Sequence, residues 1–162
     1  MRQRKGQAAL EFLTTYAWAF LVILIMIGAL AYFGVLRPSK VLPNRCTFSS
    51  EIGCMDYAID GPANAVNLRL KNSFGEPVVM QSLNVTSGSV TPFSCSLSSP
   101  ALPYIWSTDT IIDAKFVNCN IAAAGFVQGD KAKFTVDVQY YAARSSTAYN
   151  KTVSGEVYST VG

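Results

Sequence analysis

Histidine is absent from this 162-residue chain. That excludes histidine-based triads, histidine general bases and most zinc sites. Charge is scarce: 14% of the residues are Asp, Glu, Lys or Arg, against roughly 25% in an ordinary soluble domain. With 50% hydrophobic residues the chain is not disordered, and a net charge of +3 is too small for a nucleic-acid binder. Proline does not occur before Pro38, so nothing breaks a helix ahead of it. None of the four cysteines forms a C-x-x-C pair, which leaves no metal-ligand pattern. Asp109 and Asp113 lie close in sequence, but four apart on a strand they share a solvated face. No catalytic constellation remains, so no enzyme, cofactor or metal is expected.

What is present is concentrated at one end. From Phe12 to Leu36 run 25 residues without a charge. At 1.5 Å per residue they make a helix of roughly 37 Å, enough to cross a bilayer with some tilt. Arg2, Arg4 and Lys5 precede the run, which by the positive-inside rule places the N-terminus in the cytoplasm and the rest outside. A secretory signal is one reading, since Ala29-Leu30-Ala31 offers an A-x-A cut before Tyr32. A plain anchor is another. Glu11 is an acid set directly against the apolar run, where a charge is costly unless paired: either it lies in the headgroup region without a role, or it marks a function. Small residues such as Ala17, Gly28 and Ala31 permit close helix approach, and Phe12, Tyr16, Trp18 and Phe20 add large apolar area.

The segment Arg4-Lys5-Gly6-Gln7-Ala8-Ala9-Leu10-Glu11-Phe12-Leu13 resembles the class III signal of archaeal type IV pilins, of the adhesion type and not the archaellins. The resemblance covers Arg2 to about Phe33. It implies cleavage by a prepilin peptidase between Gly6 and Gln7, guided by the leader residues Arg4 and Lys5, with the helix retained. Glycine suits such a cut because its bare backbone fits a narrow cleft. Loss of Arg2, Arg4 and Lys5 would take the basic residues from 13 to 10, equal to the 10 acids, and create an ammonium on Gln7, four residues before Glu11. Glu11 then acquires a role in filament assembly: paired with that ammonium, it would set axial register, as a buried polar group does in coiled coils. The implied partners are a homo-oligomeric helical filament, the peptidase, an assembly ATPase with its membrane platform, and the membrane before assembly.

Beyond the run, prolines at 38 and 43 mark a linker over residues 37–44. Residues 45–162 are of single-domain size and read as β. Val66, Leu68 and Leu70 alternate with polar residues, Asn72–Pro77 is a turn, and Val78–Val85 follows, which suggests a hairpin. Thr110–Val117, Lys131–Tyr141 and Thr152–Val161 are further strands, the last with a bulge or close contact at Gly155. The expected class is α+β: leader 1–6, hydrophobic helix 7–36, linker, then an antiparallel β-sandwich, immunoglobulin-like by analogy with pilin heads.

Cys46, Cys54, Cys95 and Cys119 all lie beyond the apolar run, where an even count suggests disulfides. Three connectivities are possible; Cys46–Cys54 with Cys95–Cys119 is the one expected here. Sequons occur at Asn84-Val85-Thr86 and Asn150-Lys151-Thr152. Asn150 falls in a polar loop and is the better glycosylation candidate; Asn84 falls in a strand and needs an outward side chain. The expected function is that of a structural pilin subunit serving adhesion, membrane-held as precursor and then in a surface filament. The alternative is a monomeric, single-pass surface protein with a β-sandwich binding domain.

Overall fold

The computed structural model describes residues 4–33, 42–88 and 93–162. The chain divides into two compact units, Met1–Val41 and Leu42–Gly162. Arg2 and the linker residues Arg37 to Val41 lie outside the described residues.

The first unit contains a single described helix, α1, Arg4–Tyr32. Its Leu, Ala, Met and Ile content favours helix, and no proline interrupts it. The second unit holds nine strands among its described residues. They are β1 Arg45–Thr47, β2 Ile52–Asp60, β3 Ala65–Asn72, β4 Val78–Ser87, β5 Ser96–Ser99, β6 Tyr104–Trp106, β7 Ile111–Val117, β8 Lys131–Ala142 and β9 Lys151–Thr160. Five of them form one sheet in the order β1-β9-β8-β4-β6, and four form the other in the order β2-β3-β7-β5. All pairings within the sheets are antiparallel. The head is an antiparallel β-sandwich, and the whole is α+β.

Alternation drives this arrangement. On β8, Ala132, Phe134, Val136, Val138 and Tyr140 are buried. On β3, Val66, Leu68 and Leu70 are buried in the same way, and on β7 Ile112, Ala114 and Phe116. Successive side chains of a strand point to opposite faces, so each sheet offers one apolar face, and the two faces meet in a common core. Trp106, Phe116 and Phe134 are its largest enclosed side chains.

One expectation fails. The strands β3 and β4 do not form a hairpin: β3 pairs with β2 and β7, and β4 with β6 and β8. The segment Ser73–Pro77 instead carries the chain from one sheet to the other. Asn72 shows why. It is fully buried, its Nδ2 donates to the Trp106 carbonyl (2.8 Å) and the Glu76 carbonyl (3.3 Å), and its Oδ1 accepts from the Phe74 N–H (2.9 Å). The side chain thus takes the hydrogen bonds that a hairpin rung would supply, and turns the chain across the core.

The sandwich is closed along one side. The Cys46–Cys54 disulfide joins β1, an edge of the five-stranded sheet, to β2, an edge of the other. Near Val161 the C-terminus adds a parallel bridge to Ile59, and Gly61 N–H donates to the Gly162 carbonyl at 3.1 Å. Between the two, Phe48 packs over Gly155, where a Cβ would clash with the Cδ1, Cε1 and Cγ atoms of the ring. The β8–β9 register runs through Gly155 without a shift, so the glycine serves a close contact and not a bulge. The second disulfide, Cys95–Cys119, ties the start of the four-residue β5 to the end of β7. Both bridges have the expected partners.

Candidate functional site

The apolar stretch Leu10–Tyr32 of α1 is 23 residues long, about 35 Å at 1.5 Å per residue, and so exceeds a hydrocarbon core of about 30 Å. Its large side chains are exposed all round the helix, from Leu10 to Phe33, with Trp18 at 70%. A surface helix of a globular protein would bury one stripe. This one buries none, so its apolar surface is of the kind that lipid or other helices cover.

Glu11 is the only acid in α1, and its side chain is exposed. Its carbonyl accepts hydrogen bonds from the Thr14 hydroxyl (3.1 Å) and the Thr15 hydroxyl (2.7 Å). These satisfy the two threonine hydroxyls inside an apolar helix, so neither interrupts the span. Phe12 and Tyr16 meet at 4.5 Å between centroids with their planes tilted by 44°, and with Leu13, Ala17 and Phe20 they line a shallow apolar depression. The backbone of Arg4, Lys5, Gly6 and Gln7 belongs to α1; their side chains lie outside the described residues.

No protein-family model and no curated protein matches this chain. What it does must therefore be read from its own residues.

On the outer face of the four-stranded sheet, Asp56, Arg69 and Asp113 stand in one cross-strand row. Arg69 reaches Asp113 with two hydrogen bonds, Nε–Oδ1 at 2.7 Å and an Nη–Oδ2 bond at 3.2 Å. That hydrogen bond, reinforced by the guanidinium charge and by Lys115, holds Asp113 below the usual carboxylate range. The same bond and Asp113's charge raise Arg69. One turn away Asp109 meets Lys71 at 3.0 Å. Asp109 lies in the turn before β7, with φ 56°, and not four apart from Asp113 on one strand as expected; the two acids do not converge, and each pairs with its own basic residue. Among the described residues no three of His, Cys, Asp and Glu gather as a metal-holding group.

On the opposite sheet Lys133 pairs with Glu156 at 2.7 Å. The hydrogen bond from Lys133, its charge and that of Arg45 lower the Glu156 pKa. Burial, with Glu51 and Glu76 adding repulsion, pushes the Tyr140 phenol up. Asn84 lies on this outer face and is exposed, as is Asn150 after the one-turn 3₁₀ helix Thr147–Tyr149. The cross-strand ion pairs escaped sequence reasoning. The alternating charges of Arg69, Lys71, Asp113 and Lys115 were its visible signal, but pairing needs the β3–β7 register.

Proposed function

We propose that this chain is a structural subunit of a type IV pilus-like surface filament, held in the membrane by α1 as a precursor and polymerised through the same helix. The observation that carries the reading is an apolar helix exposed on every side, entered through Arg4-Lys5-Gly6-Gln7 with a lone acid at Glu11 and followed by a separate disulfide-bonded head. Prepilin peptidase cuts between Gly6 and Gln7. The new Gln7 ammonium neutralises Glu11 of its own or a neighbouring chain, because a free carboxylate in a helix bundle is strongly disfavoured without a partner. The role is architectural and adhesive and draws on no catalytic group.

The same helix fits a monomeric anchored surface protein. Two measurements separate the readings. Sequencing of the mature N-terminus should start at Gln7; a start at Tyr32 means ordinary secretion, and an intact Met1 means an anchor. Electron microscopy of filaments sheared from cells, with mass spectrometry of their subunit, should find this chain in them. Its absence from every filament would overturn the proposal.

A further inference from the structure

The head carries two sequon asparagines, Asn84 and Asn150, and both are exposed. Exposure alone does not separate them; the cost of presenting each to a transferase does. Asn84 sits within β4, whose ladder with β8 runs from Val78 to Ser87. Its neighbours Leu83 and Val85 are buried at 2% and 5% exposure, against Val138 and Val136 of β8. To lift this sequon out of the sheet is to open the core.

Asn150 lies differently. The connection from Ala143 to Asn150 is exposed throughout, and its one-turn helix buries no residue. Asn150 has an extended backbone, φ −60° and ψ 136°. Only Lys151 and Thr152 of its sequon are paired, in the last two rungs of the β8–β9 ladder, and both are exposed. The first buried residue beyond them is Val153. Fraying of those rungs frees the whole sequon while β8, with the buried Tyr140 opposite Lys151, keeps its pairing to β4, and terminal rungs open far more readily than central ones.

We infer that Asn150 is the acceptor of an asparagine-linked glycan that the folded head can receive, and that Asn84 stays bare. The inference rests on the reading that the head is exported. In the transfer step the Asn150 Nδ2 bonds to the anomeric carbon of a lipid-diphosphate-linked oligosaccharide. The bond from that carbon to the diphosphate oxygen breaks, the lipid diphosphate leaves with the electron pair, and Nδ2 releases one proton. The location serves a surface protein. The tip lies at the Ala142 end of β8, while at its other end the Lys131 ammonium holds the Leu42 carbonyl at 2.7 Å and Asn44 Oδ1 at 2.6 Å. Those ends are separated by a 12-residue strand, about 37 Å at 3.4 Å per residue. A glycan there crowns the end of the head remote from where the chain enters it, and leaves both outer sheet faces uncovered.

The test is peptide mapping, by mass spectrometry, of the full protein isolated from the surface of its own host cells, with cysteine oxidation read on the same sample. A sugar mass on the Asn150 peptide and none on the Asn84 peptide is expected. Asn150→Gln and Thr152→Val should abolish it, and Thr152→Ser should retain it. Both positions are exposed and at the ladder's end, so thermal melts of all three variants should match the parent. A bare Asn150 in protein with all four cysteines oxidised overturns the inference and leaves the surface reading standing. A bare Asn150 with free thiols overturns both. Sugar on Asn84 overturns the argument from fraying.

Discussion

Gly155 and Asn72 each hold a position that other residue types would fill less well, and on the proposed reading so does Glu11. Glu11 is the only acid of α1 and the one charge between Lys5 and the end of the helix. Glu11→Ala should leave head stability and membrane insertion intact, since an apolar span has lost a costly group. Ordered filaments should disappear, counted by microscopy beside a mass check of processing. Normal filament numbers would sink the pairing role, and an uncleaved product would shift it to peptidase recognition. At Gly155 the Phe48 ring occupies the place of a side chain. Gly155→Ala should therefore destabilise the head by about 1–3 kcal/mol, as overpacking does, visible as a lower urea midpoint. Asn72→Ala leaves the Trp106 and Glu76 carbonyls and the Phe74 N–H without their side-chain partner. Unsatisfied groups cost about 1–3 kcal/mol each, so this change should rank among the most damaging in the head; a melt within a degree of the parent would refute the anchoring role.

Among the elements, two of the short edge strands carry covalent ties. β1 has three residues and β5 has four, so each makes few ladder bonds of its own. Each is bridged, by Cys46–Cys54 and Cys95–Cys119. Loop-closure arithmetic gives about 2.5 kcal/mol for the shorter loop and about 3.5 kcal/mol for the longer. Paired Cys→Ala variants should lose stability in that order, measured by denaturant unfolding. The outer faces behave otherwise. Asp113 and Glu156 have lowered pKa values in the folded head, so their contribution is present above the unfolded carboxylate range, about 4, and is lost as pH falls through the folded values. Both pairs are exposed and salt-screened, so the loss should be modest. Thermal melts between neutral and acid pH should show it, and Asp113→Asn should flatten the acid limb.

At the scale of the whole molecule, the two compact units differ in what they expose: an apolar helix in one, a closed sandwich in the other. The head has its own core and both disulfides within Leu42–Gly162. Produced alone under oxidising conditions, it should fold, unfold cooperatively and remain soluble, because the apolar surface of α1 is gone. Aggregation of that fragment, or a melt far below that of the full chain, would show that the head draws stability from the helix. The proposed cut after Gly6 would remove Arg2, Arg4 and Lys5, so isoelectric focusing of the mature chain should show the lower charge; a pI equal to that of the full chain would refute the cut.

The helix was legible in the sequence because it is a local fact. A charge-free run without proline becomes a helix whatever it later packs against, and the basic residues before it need no tertiary partner to be seen. The strands β3, β4, β7, β8 and β9 were legible for a similar reason: period-two alternation records which face is buried. What alternation does not record is the partner. Whether β4 lies beside β3 or β8 depends on the buried Asn72 and the reach of Ser73–Pro77 across the core, which are long-range facts. The short strands β1, β5 and β6 carry too few residues for a period to show. β2 hides its period behind a register shift between Cys54 and Asp56. So the residues by themselves determined the apolar helix, the strand-rich head and the cysteines available for bridging. Only the tertiary structure decided which strands pair, which acids meet which bases, and which sequon sits where the sheet can open, because each of those depends on distances between residues far apart in the chain.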